Sequence, residues 1–222
     1  MLILAAAFIG PFALSFDKKV AFYKKWKYLF PAMLLPAFIY IIWDFYFTAK
    51  NVWSFNENYT IGLKIYNLPI EEVLFFFIVH YCCVFIYECI KSYFPEIKNK
   101  HTADVILIFL ALIFWVTGII FCYKYYTSWT FILNAVFITV IYLKKNYFKT
   151  FDTTTFLFSY CIMLIPFLVV NGFLTAIPVV LYNNAENLGI RIYTIPFEDA
   201  FYGMLLILMT IVIYEKLKEN KS

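Results

Sequence analysis

The chain has 222 residues, 64% of them hydrophobic, 23% aromatic and only 14% charged, with a net charge of +4 and a mean hydropathy of +0.79. A soluble domain carries about a quarter charged residues, so this composition excludes a water-soluble globule and indicates an integral membrane protein. A single arginine, Arg191, leaves no basic patch for nucleic acid, and the five cysteines and two histidines show no metal-binding spacing.

Apolar runs of the length a bilayer requires, about 17–25 residues, occur at 1–16, 29–47, 69–90, 104–122, 127–143, 153–175 and 196–214. The first is short and is expected to tilt or lie shallow. It lacks a basic leader and an A-x-A site, so it reads as a span and not as a cleaved signal. Lysine placement tests the count. Segments 17–28, 91–103 and 144–152 and the tail after 214 hold fourteen of the eighteen basic residues; the alternate side has only Lys50, Lys64, Lys124 and Arg191. This asymmetry predicts seven transmembrane helices in the plasma membrane, with the N-terminus outside and the C-terminus cytoplasmic. The fold class is therefore an all-α integral membrane protein. Glu88 and Glu215 close their helices beside lysines and are expected to be solvated. His80 is expected to serve helix packing or a hydrogen bond.

A shift of 127 residues lays 44–90 over 171–217 without a gap. Thr48 falls on Thr175, Asn56 on Asn183, Gly62 on Gly189, Ile65-Tyr66 on Ile192-Tyr193, and Pro69-x-Glu71-Glu72 on Pro196-x-Glu198-Asp199. The expected organisation is a three-helix repeat over 1–100, a linking helix over 101–126 and a second three-helix repeat over 127–222. Three helices is an odd number, and the fourth restores orientation. The halves are then parallel repeats in a 3+1+3 plan, with both acid pairs on the non-cytoplasmic side. Asn56 and Asn183 are expected to shape the loops.

Acids in a membrane-spanning helix are costly. Proline suits a helix start, and acids in the first turn favour the dipole by about 0.3–1 kcal/mol each, so simple capping is one reading of both pairs. The other reading is chemical. Adjacent helical residues point about 100° apart, so at most one acid of each pair easily faces water while the other faces the bundle. The runs that follow, Val73-Leu74-Phe75-Phe76-Phe77 and Ala200-Phe201-Tyr202, are bulky and apolar. Two neighbouring carboxyls in such surroundings can divide roles, one giving a proton and the other staying ionised. Protonating an alkene makes a carbocation that aromatic faces and carboxylates stabilise. Phe75, Phe76 and Tyr202 are candidate wall residues. No cofactor motif is present, and an acid–base isomerisation requires none.

These residues resemble the lycopene cyclase domain family in its membrane-embedded form. The family pattern P-[IL]-E-[ED] is met by Pro69-Ile70-Glu71-Glu72; Pro196-Phe197-Glu198-Asp199 departs only at its second position. Trp43-Asp44 and Trp53-Ser54-Phe55-Asn56 are also similar to the family's first repeat, whereas the second repeat has Val170-Asn171. The resemblance implies two tandem cyclase domains in one chain that close β-ionone rings on lycopene, by way of γ-carotene to β-carotene, through non-redox acid–base catalysis. Glu71 and Glu198, identical between the halves, are the expected proton-handling pair, with Glu72 and Asp199 as partner carboxylates; Asp44 and Asn171 either hydrogen-bond and tune these acids or serve as interfacial or capping polar residues. No metal or cofactor is implied. The expected partners are lycopene and membrane lipid, with a second copy of the chain or other carotenoid enzymes as further candidates.

Two rival readings share these features. A small-solute transporter of the SWEET type has a 3+1+3 plan, but the middle of these runs offers few groups to a sugar. A carotenoid-binding protein without chemistry differs only in leaving the matched acids unexplained. A retinal photoreceptor would need a lysine in its last span, and residues 200–214 have none.

Overall fold

In a computed structural model the described residues are 1–97 and 100–219; Lys98 and Lys221, counted above with the basic residues, lie outside them. Seven helices follow the seven apolar runs: α1 (Leu2–Leu14), α2 (Trp26–Ala49), α3 (Ile70–Tyr93), α4 (His101–Ile120), α5 (Tyr125–Leu143), α6 (Thr153–Ala176) and α7 (Phe197–Glu219). Six of them are long and apolar enough to cross a membrane. α1 is the exception to the expected seven. Its 13 residues rise about 20 Å, less than the roughly 30 Å of a bilayer's hydrocarbon core.

α7 is the most deeply buried of the six and packs on α2, α3, α5 and α6. α4 lies chiefly on α5, where Gly118 permits the approach: a Cβ there would meet Ile132 Cγ1 at 2.6 Å. Small residues at helix contacts are how apolar helices pack closely in lipid. Outward faces carry large apolar side chains such as Phe38, Phe109, Leu112 and Ile165. Prolines 11, 31, 36 and 166 lie inside helices, which bilayer-spanning helices tolerate.

The lysine-bearing segments meet at one end of the bundle. Lys145 pairs with Asp104 at 2.6 Å and Lys149 with Glu219 at 3.1 Å. At this end one expectation is corrected: Glu88 and Glu215 are not solvated but only 1% and 5% exposed. Lys218 of α7 reaches Glu88 of α3 at 2.7 Å, and Lys91 of α3 reaches Glu215 of α7 at 2.8 Å. Lys25 adds a second partner to Glu88 at 2.5 Å, and the Tyr214 hydroxyl donates to it at 2.8 Å. The adjacency of α3 and α7 lets each helix supply the cation for the other's acid. His80 is fully buried and its Nδ1 lies 2.6 Å from the Phe76 carbonyl, a hydrogen bond within the helix.

At the opposite end, six short strands organise the long loops. β1 (Trp53–Phe55) and β4 (Val180–Tyr182) pair antiparallel, with Trp53 opposite Tyr182, Ser54 opposite Leu181 and Phe55 opposite Val180. Two small hairpins precede the acid-bearing helices: β2 (Lys64–Ile65) with β3 (Leu68–Pro69), and β5 (Arg191–Ile192) with β6 (Ile195–Pro196). Their details match pairwise. Gly62 and Gly189 have φ of 82° and 76°, and Tyr66 and Tyr193 have φ of 57° and 59°. Asn56 and Asn183 each accept, through the side-chain oxygen, the N–H two residues on, so both shape their loops.

Candidate active site

Each hairpin delivers its chain to the first turn of a helix. The Ile70 N–H donates to the Leu63 carbonyl at 2.9 Å, and the Phe197 N–H to the Ile190 carbonyl at 3.0 Å. The two adjacent acids then diverge, as a 100° step per residue requires. The first acid of each pair turns back to its own loop: Glu71 Oε1 accepts the Ile61 N–H at 2.7 Å, and Glu198 Oε1 accepts the Leu188 N–H at 2.7 Å. Glu198 also accepts from the Thr127 hydroxyl at 2.6 Å. Both acids of the second pair are buried, so neither faces water.

The second acid of each pair turns inward. Glu72 of α3 and Asp199 of α7 line one cavity, together with Asp44 of α2 and Asn171 of α6. Its free volume is small, about 50 Å³. Asp199 is held by two phenols: the Tyr126 hydroxyl donates to Oδ1 at 2.5 Å and the Tyr182 hydroxyl to Oδ2 at 2.9 Å. The Asn171 amide is 3.5 Å from Oδ2. Asp44 Oδ1 accepts from the Trp53 indole at 2.5 Å. Among the described residues, Asp44 Oδ2 and the Tyr202 hydroxyl are buried without a hydrogen-bond partner, and the half-buried Glu72 carboxyl receives no side-chain hydrogen bond. Burial, with the Asp199 carboxyl beside it, holds the Tyr182 phenol well above its ordinary range, which keeps it a donor.

The β1–β4 pair roofs the cavity with Trp53, Phe55, Val180 and Tyr182. Aromatic rings close the sides: Tyr202 lies 4.7 Å from Tyr40, 5.0 Å from Trp43 and 5.9 Å from Trp53, and Tyr126 stacks on Tyr182 at 5.9 Å. Of the wall residues expected from sequence, Phe75 and Tyr202 line the cavity. Phe76 sits behind it, in the core against Tyr40. Three contributors escaped sequence reasoning: Tyr126, Tyr182 and Thr127. The signal available for two of them was the polar and aromatic run at the start of α5, Tyr125-Tyr126-Thr127-Ser128, in a chain otherwise short of polar groups.

Residues 1–90 and 123–217 match the lycopene cyclase family. The chain belongs to that family. The matched stretches leave out 91–122, which contains α4 of this lycopene cyclase family member. A bifunctional lycopene cyclase/phytoene synthase of Phaeosphaeria nodorum is 40% identical over 47 residues, a stretch that covers 21% of this chain and 8% of that protein. No solved structure matches. The family and the six long apolar helices together make this a membrane-embedded protein of the lycopene cyclase family.

Proposed function

We propose that the chain is a lycopene cyclase that closes β-ionone rings on the acyclic ends of lycopene, by way of γ-carotene to β-carotene, without redox chemistry. The reading rests on one observation. Three carboxyls from three helices, Asp44, Glu72 and Asp199, share a single cavity walled by aromatic rings. In this mechanism a carboxyl adds its proton to the terminal alkene and leaves a tertiary cation. The neighbouring alkene closes the ring onto that carbon and the charge moves into the ring. A carboxylate removes a ring proton and restores a double bond, so one proton enters and one leaves.

Glu72, whose carboxyl receives no hydrogen bond among the described residues, is suited to carry the incoming proton. Asp199, fixed by two phenols, is suited to remain ionised, to stabilise the cation and to take the outgoing proton. Asp44 extends the negative field around the cation and is oriented by the Trp53 indole. Glu71 and Glu198 act as positioning residues that fasten the loops over the site.

The same proposal includes the 3+1+3 plan of parallel repeats, with α1 as the seventh crossing, an outside N-terminus and a cytoplasmic C-terminus in the plasma membrane. The matched hairpins, loop glycines and loop-fastening acids support it, as does the lysine-rich end. The deciding experiment is expression in a lycopene-accumulating bacterium with pigment analysis. Ring-bearing carotenoids are expected, with one deuterium per ring in heavy water. Wholly acyclic pigment beside well-inserted protein would refute the activity, and rings without deuterium would refute the protonation step.

A further inference from the structure

A second, larger space adjoins the acid cavity. It is a groove of about 390 Å³ between α1, α3 and α6, within the roughly 300–1,000 Å³ range of small-molecule sites. α3 contributes one face of its helix, Phe75, Ile78, Val79, Cys82 and Ile86. The eleven steps from Phe75 to Ile86 rise about 16 Å, around half of a bilayer's hydrocarbon core. α1 contributes Leu4, Ala7 and Pro11, a single stripe. Every residue lining the groove is apolar or a cysteine. α1 packs chiefly on α3 and makes no substantial contact with α6, so the groove opens sideways between α1 and α6.

The groove does not end blindly. Phe75, Val79 and Phe167 wall both the groove and the cavity of Asp44, Glu72 and Asp199. Phe167 can lie against α7 because residue 203 is glycine: a Cβ there would meet the Phe167 ring at 3.0 and 3.2 Å. A long slot without hydrogen-bonding side chains thus leads, past two phenyl rings and a valine, to three carboxyls. That sequence of surfaces complements a molecule that is hydrocarbon along its length and reacts at a terminal alkene.

We propose that this groove holds the polyene chain of the substrate, admitted sideways from the lipid, and that Phe75, Val79 and Phe167 form the threshold over which one end enters the acid cavity. The proposal rests on the cyclase reading above. Only one end of the polyene reaches the acids at a time, so a two-ended substrate must withdraw and return reversed to gain its second ring.

The test uses the full chain in liposomes loaded with lycopene. Wild-type protein must first form rings; if it does not, the cyclase reading fails and the groove is judged by cross-linking alone. Ala7→Trp fills the groove from α1 and is expected to lower turnover at least tenfold. Ala6→Trp, on the exposed side of the same helix, is expected to keep the wild-type rate. Equal rates in all three proteins would overturn the proposal. Because a tryptophan can disturb folding, photoleucine in place of Ala7 supplies the second measurement. Irradiation is expected to attach lycopene to this position. Attachment of phospholipid chains alone would show the groove to be ordinary lipid boundary and would overturn the proposal.

Discussion

The division of labour within each acid pair is open to a direct test with two isosteric changes, Glu72→Gln and Glu198→Gln. Glu198 is fully buried, and its Oε1 serves Thr127 and Leu188 at 2.6 and 2.7 Å. A glutamine retains an acceptor at that point, but the bonds lose their charge assistance, which halves their strength. Oε2 of Glu198 has no partner among the described residues, so the new amide N–H₂ is left unpaired where an oxygen already was. Together these changes lower stability by about 1–3 kcal/mol, while the cavity keeps its three carboxyls. Activity per folded chain is then expected to stay within about threefold, under 1 kcal/mol of barrier. Glu72→Gln removes the proposed proton carrier from the cavity itself. Loss of a positioned acid lowers rates by about 10²–10⁴-fold, roughly 3–5 kcal/mol. The assay is ring formation in membranes, normalised to inserted protein, with protease resistance to report folding. A folded Glu198→Gln chain without activity, beside an active Glu72→Gln chain, would refute the assignment and return the proton to Glu71 and Glu198.

Tyr182→Phe removes one of two phenol donors to Asp199. A hydrogen bond to a charged group is worth about 1.5–3 kcal/mol, so a drop of tenfold or more in kcat/KM is expected while folding is kept. In the wild type the Tyr182 phenol is held above its ordinary value, so its donor form persists as pH rises. The rate should therefore show no loss near pH ~10, where a free tyrosine ionises, and a fall there in liposomes would contradict this role. Glu88→Gln strips the acid from a buried cluster with Lys25, Lys218 and Tyr214. Breaking such a pair costs about 3–5 kcal/mol, and the partial exposure of both lysines reduces this to about 2–3 kcal/mol. A lower thermal midpoint with unchanged activity per folded chain is expected. Gly189→Ala meets open space, so only its φ of 76° resists the change, at about 1–2 kcal/mol. Faster proteolysis of the 183–190 loop would register it.

The helices were legible because lipid demands continuous apolar runs and because lysines and the Pro-x-Glu turns punctuate them. The acid pairs stand out as a candidate site because polar atoms are scarce in this chain. Which acid of each pair faces the cavity was not, since a helix turn orients both equally well until a loop N–H captures one of them. Here Ile61 and Leu188, ten residues upstream of Glu71 and Glu198, make that choice. The roof was hidden for another reason: three-residue strands carry almost no pattern, and β1 and β4 lie far apart in sequence. The burial of Glu88 and Glu215 follows only from the contact between α3 and α7, because each acid is neutralised by the other helix's lysine. Tyr126 follows Lys124 and Tyr125 at a helix start and looks like an interfacial residue until Asp199 is seen beside it.

The frame around the site is closely matched between the halves, and the site is not. The β1–β4 pairing is self-complementary, with Trp53 opposite Tyr182 and Phe55 opposite Val180, as expected of a twofold axis through Ser54 and Leu181. The loop-fastening acids, the hairpins and the α3–α7 ion pairs obey the same relation. A fully symmetric centre would present equivalent acids in equivalent settings, and only a shared proton would then distinguish donor from acceptor. Three differences between the halves fall on the cavity wall. Asp44 stands where the other half has Asn171, Glu72 where it has Asp199, and Phe55 where it has Tyr182. One consequence is that neutral donors gather on Asp199, from Tyr126, Tyr182 and Asn171. The other is that Asp44 and Glu72 remain with a single indole between them. In the proposed mechanism this inequality fixes in advance which carboxyl gives the proton and which stays ionised, and a matched pair of helix starts is a stable scaffold on which to build it.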